Sequence, residues 1–393
     1  MNILFISKRS AYLKKGFGGA ETSMKLLAEA LAAKGHRVFY ISRGKERRFL
    51  PRLVQKKVNG VKVIICSGLQ RGRRFRFVRD LDQRFYESLV RRIVNKGDID
   101  IAYCTYELPT MDVLFKALSV KPELKIVMRM AGMYWSEKIS KDPASKNKFE
   151  KAFNLADCVN YIHQDQEQMV QEKLKELKMY VSFKDSFVAD IGFSVGLKRG
   201  IPYGAKGSDN FTIINATRFS DYQKRQDILV KAASYISPEI KVNFRLIGDG
   251  REKVKIQAMV DRLNLTDRVT LIPFMSQEEL WKEMISADLM CHACDYEGLG
   301  KVIIESMALG LPVLASNVAT LNGYIEDGVN GFLVENGPEL WARKIEALIE
   351  ERELRLEVSR RSIEYVEENY SSHENVAQYE YHFQKILGNH STR

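Results

Sequence analysis

The strongest constraint on the fold is a strand, glycine-rich loop, helix and strand pattern at the start of the chain. Residues 3–6 form an apolar run typical of a buried strand, and a glycine-rich loop follows at residues 16–19. Apolar residues then recur at helical spacing up to Leu31, and residues 38–41 form the next apolar run. This order indicates a parallel sheet, because two parallel strands need a crossover between them.

The same alternation runs through most of the chain and is interrupted once. Further strand candidates lie at residues 61–66, 99–105, 125–130 and 158–162, and the pattern restarts at 211–216. The interruption is rich in glycine and lacks periodicity, which is typical of a linker; its markers are Gly192, Gly196, Gly200, Pro202, Gly204 and Gly207. We therefore predict an α/β fold with two doubly wound, Rossmann-like domains.

The interruption also sets the predicted domain boundaries. We expect an N-terminal domain over residues 1–191, a linker over 192–208 and a C-terminal domain over 209–370. A C-terminal helix over 371–393 is expected to cross back to the N-terminal domain. Two such domains in tandem would place a cleft between the carboxyl ends of their sheets, where α/β proteins bind ligands.

Charge separates the two halves of this 393-residue chain. Lys and Arg total 61 against 50 Asp and Glu, a net charge of +11, of which residues 1–200 carry +18 and residues 201–393 carry −7. A hydrophobic content of 45% supports large cores, which excludes a disordered or collagen-like chain. We expect the two halves to meet different partners.

Cysteine usage and the N-terminus bear on localisation. An odd number of cysteines, five, without dense spacing indicates a reducing compartment, so we expect a cytoplasmic protein. Residues 1–7 are apolar but short, and Lys8 and Arg9 follow, which favours a first strand over a signal peptide. The sequence has no uninterrupted apolar run of 18 residues, so no transmembrane helix is expected.

The glycine loop is the first segment that could carry chemistry. Gly18 and Gly19 precede a helix whose N–H groups and dipole favour a phosphate. Glu21 stands where a dinucleotide-binding fingerprint requires a glycine, so that fingerprint fits poorly. A tight turn that only starts a helix is the alternative.

The second segment, residues 218–224, follows the first strand of the second domain. Arg218 and Lys224 suit a diphosphate, the Arg by bidentate hydrogen bonding and the Lys as a point charge. A solvated basic loop is the alternative, and for this pair alone it is the better one.

The third segment joins a strand to a helix. Glu297 and Glu305 lie eight positions apart, with Gly298 and Gly300 between them. The glycines let loop N–H groups face a ligand, and the carboxylates can accept hydrogen bonds from sugar hydroxyls. Two surface glutamates around a turn are the alternative, which is favoured for one glutamate but not for both.

Taken together, these residues resemble the retaining glycosyltransferases of family 4, which have the GT-B architecture of two facing Rossmann-like domains. The resemblance runs from residues 18–21 and 35–38, through Arg218 and Lys224, to the E-x7-E pattern at 297–305 and to residues 328–331. It implies a metal-independent hexosyltransferase with no cofactor, in which the leaving phosphate takes the acceptor proton. We expect the donor to be a UDP-sugar.

The resemblance also implies roles for the domains and for single residues. The N-terminal domain would bind the acceptor, and the C-terminal domain would bind the nucleotide sugar. Glu297, Arg218 and Lys224 would be catalytic, with the cations on the diphosphate and Glu297 on the sugar. Glu305 would bond the ribose hydroxyls, and Phe274 and Met275 would lie beside the base. The full set expected to bind the nucleotide sugar is Gly18, Gly19, Gly248, Phe274, Met275, Gly298, Leu299, Gly300 and Glu305.

Two departures from the family pattern stand out. Ala131 occupies the place of a histidine that many relatives carry, and Arg129 or His163 could compensate. Residues 316–320 replace the paired glycines that relatives show after the last short strand.

Other signals receive a lower rank. The D-x-D patterns at residues 80–82 and 98–100 are interpreted as coincidences, and the Cys291–Cys294 pair as packing, because no second pair accompanies it. The basic stretch at 71–79 is assigned to an acceptor or an anionic membrane surface, with a solvated face as the alternative; its arginines are Arg71, Arg73, Arg74, Arg76 and Arg79. Binding of nucleic acid by this stretch ranks below contact with an acceptor or a membrane.

The predicted function is therefore retaining transfer of a hexosyl unit from a nucleotide sugar to a hydroxyl acceptor. The expected acceptor is a glycan or a lipid-linked envelope precursor, which would place the protein in the cytoplasm or on the inner face of the membrane. A nucleotide-sugar epimerase or a phosphorylase on the same plan is the alternative enzyme, although no motif for a phosphorylase's cofactor-binding lysine is visible. A basic nucleic-acid-binding protein is the non-enzyme alternative.

Overall fold

The computed structural model divides the chain into two compact units. One comprises residues 1–191 and 373–393, and the other residues 192–372. The described residues are 1–13, 19–48, 52–69, 76–130, 132–162, 165–189, 203–204, 210–219, 223–370 and 372–388. The predicted linker at 192–208 falls outside them except for Tyr203 and Gly204.

The first unit is built around an eight-stranded sheet. Its strands are β1 (Asn2–Ser7), β2 (Arg37–Arg48), β3 (Arg52–Val58), β4 (Val61–Leu69), β5 (Ile101–Thr105), β6 (Lys125–Met130), β7 (Cys158–Tyr161) and β8 (Ser186–Val188). Its helices are α1 (Gly19–Ala33), α2 (Arg76–Lys96), α3 (Leu108–Ala117), α4 (Tyr134–Lys141), α5 (Lys146–Asn154) and α6 (Gln166–Glu176). The order β3-β4-β2-β1-β5-β6-β7-β8 puts β1 near the centre, where its residues 3–6 are fully buried.

The antiparallel hairpin of β3 and β4 was not among the predicted elements. All other strand pairs of this sheet are parallel. The hairpin turn is Asn59-Gly60, and both residues have positive φ, 47° and 81°. Asn-Gly is the preferred sequence for such a two-residue turn, so the signal was present in the sequence. The strand itself was easy to miss, because β3 lies at the sheet edge and exposes Leu53 and Val54.

The C-terminal helix, α14 (Ser372–Ile386), packs on the first unit. The hydroxyl of Tyr379 donates to the carbonyl of Ala189 at 2.8 Å and lies 3.0 Å from Oδ1 of Asn160. Tyr379 and Phe383 are fully buried in the same hydrophobic cluster as β1.

The second unit is a six-stranded, all-parallel sheet flanked by helices. Its strands are β9 (Phe211–Ala216), β10 (Val242–Ile247), β11 (Val269–Ile272), β12 (Leu289–His292), β13 (Val313–Ser316) and β14 (Phe332–Val334). Its helices are α7 (Gln226–Tyr235), α8 (Lys253–Arg262), α9 (Gln277–Ser286), α10 (Lys301–Ala308), α11 (Ala319–Asn322), α12 (Pro338–Glu350) and α13 (Arg352–Asn369). The order β11-β10-β9-β12-β13-β14 makes β9 and β12 neighbours, although they are far apart in sequence. Within the described residues, no helix combines the length and hydrophobicity needed to span a bilayer.

Candidate active site

The carboxyl edge of the second unit's sheet brings two predicted segments together. Because β9 and β12 are parallel neighbours, the loops that follow them leave from the same edge. Their backbones are also joined directly: Lys224 forms an antiparallel bridge with Cys294, and the N–H of Arg225 donates to the carbonyl of Ala293 at 3.0 Å. This pairing holds the Lys224 loop against the loop that carries Glu297.

Three side chains meet at this junction. The ammonium group of Lys224 donates to Oε2 of Glu297 in a close ion pair. The same carboxylate oxygen lies 2.7 Å from Nε2 of His292, the last residue of β12, and this nitrogen is 3.3 Å from Nζ of Lys224. His292 is 1% exposed and Glu297 is 9% exposed, so the cluster is largely shielded from water.

The cluster determines the charges of Glu297 and His292. Burial alone would raise the pKa of the Glu297 carboxyl, but the Lys224 ammonium and the His292 hydrogen bond hold it well below its usual range. Burial lowers the pKa of His292, and the nearby Lys224 lowers it further. Glu297 is therefore ionised and His292 neutral at neutral pH.

The tautomer of His292 follows from its contacts. A carboxylate can only accept hydrogen bonds, so the 2.7 Å contact requires a proton on Nε2 of the neutral ring. Nδ1 is buried without a hydrogen-bonding partner in the described part of the chain. His292 thus donates to Glu297, and this donation fixes the direction of the carboxylate.

The loop between His292 and α10 is held by its own hydrogen bonds. The N–H of Cys294 donates to Oγ of Ser316 at 2.9 Å, and the amide of Asn336 donates to the carbonyl of Cys294 at 2.9 Å. Ser316 begins the segment in which relatives carry paired glycines, and here its hydroxyl supports the Glu297 loop. The loop ends at Gly300, whose φ of 68° is left-handed, and a Cβ there would lie 2.8 Å from Ile303.

The glycine-flanked part of the loop lies at the start of α10. Oε1 of Glu297 accepts from the N–H of Gly298 at 3.0 Å, and the Tyr324 hydroxyl donates to the carbonyl of Leu299 at 2.7 Å. Gly300 is the N-cap residue of α10. The predicted residues Gly298, Leu299 and Gly300 are therefore adjacent to Glu297 at a helix N-terminus.

Glu305, the second predicted carboxylate, lies on the second turn of α10. It is 6% exposed, and its Oε2 accepts from the Gln277 side chain at 3.1 Å. Burial raises the pKa of Glu305 to about 7. It is thus poised to titrate near neutral pH.

The loops after β10 and β11 lie at the same edge of the sheet. Gly248 has a φ of 149°, and a Cβ there would lie 2.1 Å from the carbonyl oxygen of Thr217, so the loop passes directly against the end of β9. The N–H of Phe274 lies 3.3 Å from Oδ2 of Asp249. Phe274 is 47% exposed and Met275 is partly buried, so an aromatic ring is available to a ligand at this edge.

Arg218 is the least constrained of the predicted residues in this unit. It follows β9 and is exposed, and its carbonyl accepts from the side chain of Gln226 at 3.1 Å. The structure does not bring its guanidinium into the Lys224, His292 and Glu297 cluster.

Several of the residues predicted to bind the donor, the acceptor or a membrane belong to the first unit. Gly19 was expected to precede the helix and is instead the first residue of α1. The buried Arg129 donates from Nη1 to the carbonyl of Ala20 at 3.3 Å. Arg76 and Arg79 lie at the start of α2. Gly18, Arg71, Arg73, Arg74, Ala131 and His163 lie outside the described residues. The binding roles assigned to this unit stay predictions.

The two D-x-D patterns have structural partners. Asp82 bonds Arg43 at 2.8 Å, Asp98 bonds Lys121 at 2.7 Å, and Asp100 accepts from the N–H of Asn2 at 2.7 Å. In the described ranges no group of three or more His, Cys, Asp or Glu side chains is arranged to hold a metal ion. Burial raises the pKa of the Cys294 thiol to about 12, which agrees with the packing role assigned to it.

His292 is the functional candidate that the sequence reasoning missed. It was seen only as part of the Cys291–Cys294 pair. The available signal was its place as the last residue of a buried strand, five positions before Glu297.

Comparison with known proteins identifies the family. The model of Glycosyltransferase Family 4 matches residues 17–181, and that of Glycosyl transferases group 1 matches residues 203–365. The chain belongs to the family 4 glycosyltransferases. Membership confirms the predicted class of activity, glycosyl transfer.

Individual proteins resemble this glycosyltransferase with sequence identities of 18–26%. N-acetyl-alpha-D-glucosaminyl L-malate synthase of Bacillus anthracis is 26% identical over 306 residues, which cover 76% of this chain and 78% of the relative. Sucrose-phosphate synthase from Thermosynechococcus elongatus has a TM-score of 0.81 at 18% identity, covering 99% of this chain and 100% of that chain. HepE of Anabaena in complex with UDP-glucose has a TM-score of 0.75 at 20% identity, covering 98% and 100%. The predicted GT-B fold is confirmed.

Proposed function

We propose that this glycosyltransferase moves a hexosyl unit from a UDP-sugar to a hydroxyl acceptor with retention of anomeric configuration. The observation that carries the proposal is the contact of Glu297 with both Lys224 and His292 at the carboxyl edge of the second unit's sheet. A sugar nucleotide presents a polyanionic diphosphate next to a polyhydroxy ring. A cation and an oriented carboxylate in one shielded site match those two parts.

In this proposal the diphosphate is bound by Lys224 and Arg218. Negative charge builds up on the leaving phosphate as the bond to the sugar breaks, and a positioned cation stabilises that charge. Lys224 is already held at the site by its ion pair, whereas the exposed Arg218 would turn towards the ligand on binding. These two cations supply the charge that a metal ion provides in other glycosyltransferases.

Glu297 would accept hydrogen bonds from the hydroxyls of the donor sugar. Its ionisation and its fixed orientation by His292 suit this role, because a carboxylate accepts but does not donate. The N–H groups of Leu299 and Gly300, at the start of α10, would add donors for the phosphate or the sugar. Glu305 would accept from the ribose hydroxyls, with Phe274 and Met275 beside the base.

Retention would follow from reaction on one face of the sugar. The acceptor oxygen forms its bond to the anomeric carbon on the side from which the phosphate departs, and the departing phosphate oxygen takes the proton of the acceptor hydroxyl. No separate base is needed, since the leaving group becomes basic as the bond breaks. Nuclear magnetic resonance of the first-formed product tests this step: an inverted anomeric centre would overturn it.

The choice of UDP is supported by the neighbour HepE, whose structure was solved with UDP-glucose. A thermal-shift screen of UDP-, GDP- and ADP-sugars tests it, because a ligand that binds only the folded state raises the melting temperature. We expect the largest rise with a UDP-sugar. An equal or larger rise with GDP- or ADP-sugars would overturn the assignment of the base.

The acceptor proposed is an anionic glycan or lipid-linked envelope precursor, used at the cytoplasmic face of a membrane. The support is the charge of +18 in residues 1–200, the half that resembles the acceptor-binding domain of the family. Transfer of radiolabelled sugar to an anionic lipid-linked glycan should exceed transfer to a neutral one at low salt. Equal rates at low salt would contradict an anionic acceptor.

A further inference from the structure

A groove with a volume of about 430 Å³ lies on the first unit, at the end of the sheet where β2 and β4 begin. This volume falls within the range of about 300–1,000 Å³ that is typical of small-molecule sites. Its lining includes four cationic residues with one aromatic and one amide side chain: Arg37, Lys56, Lys57, Lys62, Phe39 and Gln55. The groove is therefore strongly basic.

Strand register places three of the cations on one face of the sheet. Phe39 pairs with Lys62, and Lys62 pairs with Lys57, so these side chains point to the same side, as does Arg37, two residues before Phe39. The Arg37 guanidinium carbon lies 5.2 Å from the centroid of the Phe39 ring, and Nζ of Lys62 lies 5.6 Å from it. Two cations, Arg37 and Lys62, therefore lie over the buried Phe39 ring, and the third, Lys57, is paired with Lys62 across the two strands.

In the described part of the chain, Arg37, Lys57 and Lys62 form no salt bridge. The ammonium group of Lys121 donates to the Asp98 carboxylate at 2.7 Å and lowers its pKa most, and the charge of Arg37 lowers this pKa to a smaller extent. Like charges directly opposite each other on paired strands, as in Lys57 and Lys62, destabilise a sheet unless a counter-charge is present.

We propose that this groove binds a phosphate group, either free phosphate or a phosphomonoester. Lysines act as point charges for phosphate, and an arginine adds a bidentate donor, so the three cations of one face match a dianion. Gln55, on the same face of β3, offers an amide N–H to the same ligand. An anion bound here would remove the repulsion between Lys57 and Lys62.

The site is separate from the carboxyl edge of its own sheet. Arg37 and Lys62 lie at the beginning of β2 and β4, whereas ligands that take part in reactions of α/β proteins bind beyond the carboxyl ends of the strands. The groove would therefore bind a ligand other than the reacting one.

Lysine footprinting by an amine-reactive acyl reagent and mass spectrometry tests the proposal on the full-length chain. Inorganic phosphate should protect Lys57 and Lys62 at least threefold, and high sodium chloride should remove the protection. Lys148 and Lys151, which are exposed on α5 and lie outside the groove, are internal controls and should not be protected. Equal labelling with and without phosphate, or equal protection of all four lysines, overturns the proposal.

Variants give the second test. The double variant Lys57→Gln and Lys62→Gln should weaken phosphate binding, measured by calorimetry, about tenfold. Lys148→Gln with Lys151→Gln removes the same charge and should leave binding unchanged; an equal loss in both variants would overturn the site.

Vesicles of phosphatidylcholine with and without phosphatidic acid identify the source of the phosphate. Protection by phosphatidic acid vesicles assigns a lipid headgroup, and protection by inorganic phosphate alone assigns a soluble ligand. Because footprinting reports on Lys57 and Lys62 directly, its result is independent of whether the donor proposal holds.

Discussion

Glu297 and Glu305 are the same residue type, eight positions apart, at the two ends of one loop–helix segment, yet they behave oppositely. Both are nearly buried, at 9% and 6% exposure. The pKa of Glu297 lies well below its usual range, whereas burial raises that of Glu305 to about 7. Exposure therefore does not distinguish them.

The difference lies in the partner of each carboxylate. Glu297 contacts an ammonium group and a neutral imidazole that donates to it, while Glu305 accepts from the amide of Gln277. For Glu297 the contacting ammonium group outweighs the cost of burial, whereas for Glu305 the charge of Lys301 and the hydrogen bond from Gln277 do not. One carboxylate is thus ionised at neutral pH, and the other titrates near neutral pH.

The largest expected effect comes from removing the charge of Glu297. Glu297→Gln should lower kcat about 10²–10³-fold, the cost typical of losing one electrostatic contact to a transition state. It also leaves Lys224 without its carboxylate, which should cost about 3–5 kcal/mol of the free energy of unfolding. Initial rates with a saturating UDP-sugar and urea unfolding measure the two effects. A loss of activity in Glu305→Gln as large as in Glu297→Gln would abolish the distinction between the two carboxylates.

Lys224→Met tests the cation that separates the two environments. Without the ammonium group, burial should raise the pKa of Glu297 towards that of Glu305, and UDP should lose a point charge for its diphosphate. We expect UDP affinity to fall about tenfold to a hundredfold by calorimetry. Lys231→Met, which removes a partly exposed lysine of α7 that pairs with Asp227, is the matched control and should retain the affinity. Unchanged UDP affinity in Lys224→Met would remove Lys224 from the donor site.

The sequence singled out both carboxylates and Lys224, because they flank predicted strand ends and match the family pattern, and their roles stay predictions. It could not predict that Lys224 pairs with Glu297. That contact depends on β9 and β12 being neighbours, which is a property of strand order rather than of local sequence. His292 was missed for a different reason: its partner Glu297 is only five positions away, but the path of the loop that brings the two side chains into contact is not visible in the sequence.

A similar limit applied to the first unit. Its central strands are apolar runs and were predicted, whereas β3 carries exposed polar residues and offered little pattern. The Asn59-Gly60 turn was the usable signal. The basic groove beside that turn could not be predicted either, since Arg37 and Lys62 come together only through the register of β2 with β4.

His292 offers a finer test of how the Glu297 environment is built. His292→Leu keeps the volume approximately but removes the donor, and a hydrogen bond to a charged group is worth about 1.5–3 kcal/mol. We expect kcat to fall about tenfold or more with little change in UDP affinity. His292→Gln, whose side-chain amide can reach the position of Nε2, should recover much of the loss. Equal losses in the Leu and Gln variants would mean that His292 only fills space.

The smallest effect on transfer is expected at Glu305, where it should depend on pH. The pKa of this carboxyl rises from its ordinary 4.5 to about 7 on folding. Between these values the folded chain binds more protons than the unfolded chain, so the contribution of Glu305 to stability is present below the lower value and is lost as pH rises through the upper one. Glu305→Gln cannot ionise, so its stability relative to the unmodified chain should increase by a few kcal/mol over this window.

Ligand binding should follow the opposite trend at the same residue. Ribose hydroxyls donate to the ionised carboxylate, so the affinity of the unmodified chain for UDP should rise several-fold as pH increases through about 7. Glu305→Gln should show a flatter profile, because its amide has no charge to gain. Calorimetric titrations of UDP at a series of pH values measure both curves, after correction for ionisation of the phosphate with UDP alone. Parallel curves for the two proteins would exclude Glu305 as the ribose-binding carboxylate and would leave Glu297 as the only one of the pair that contacts the donor.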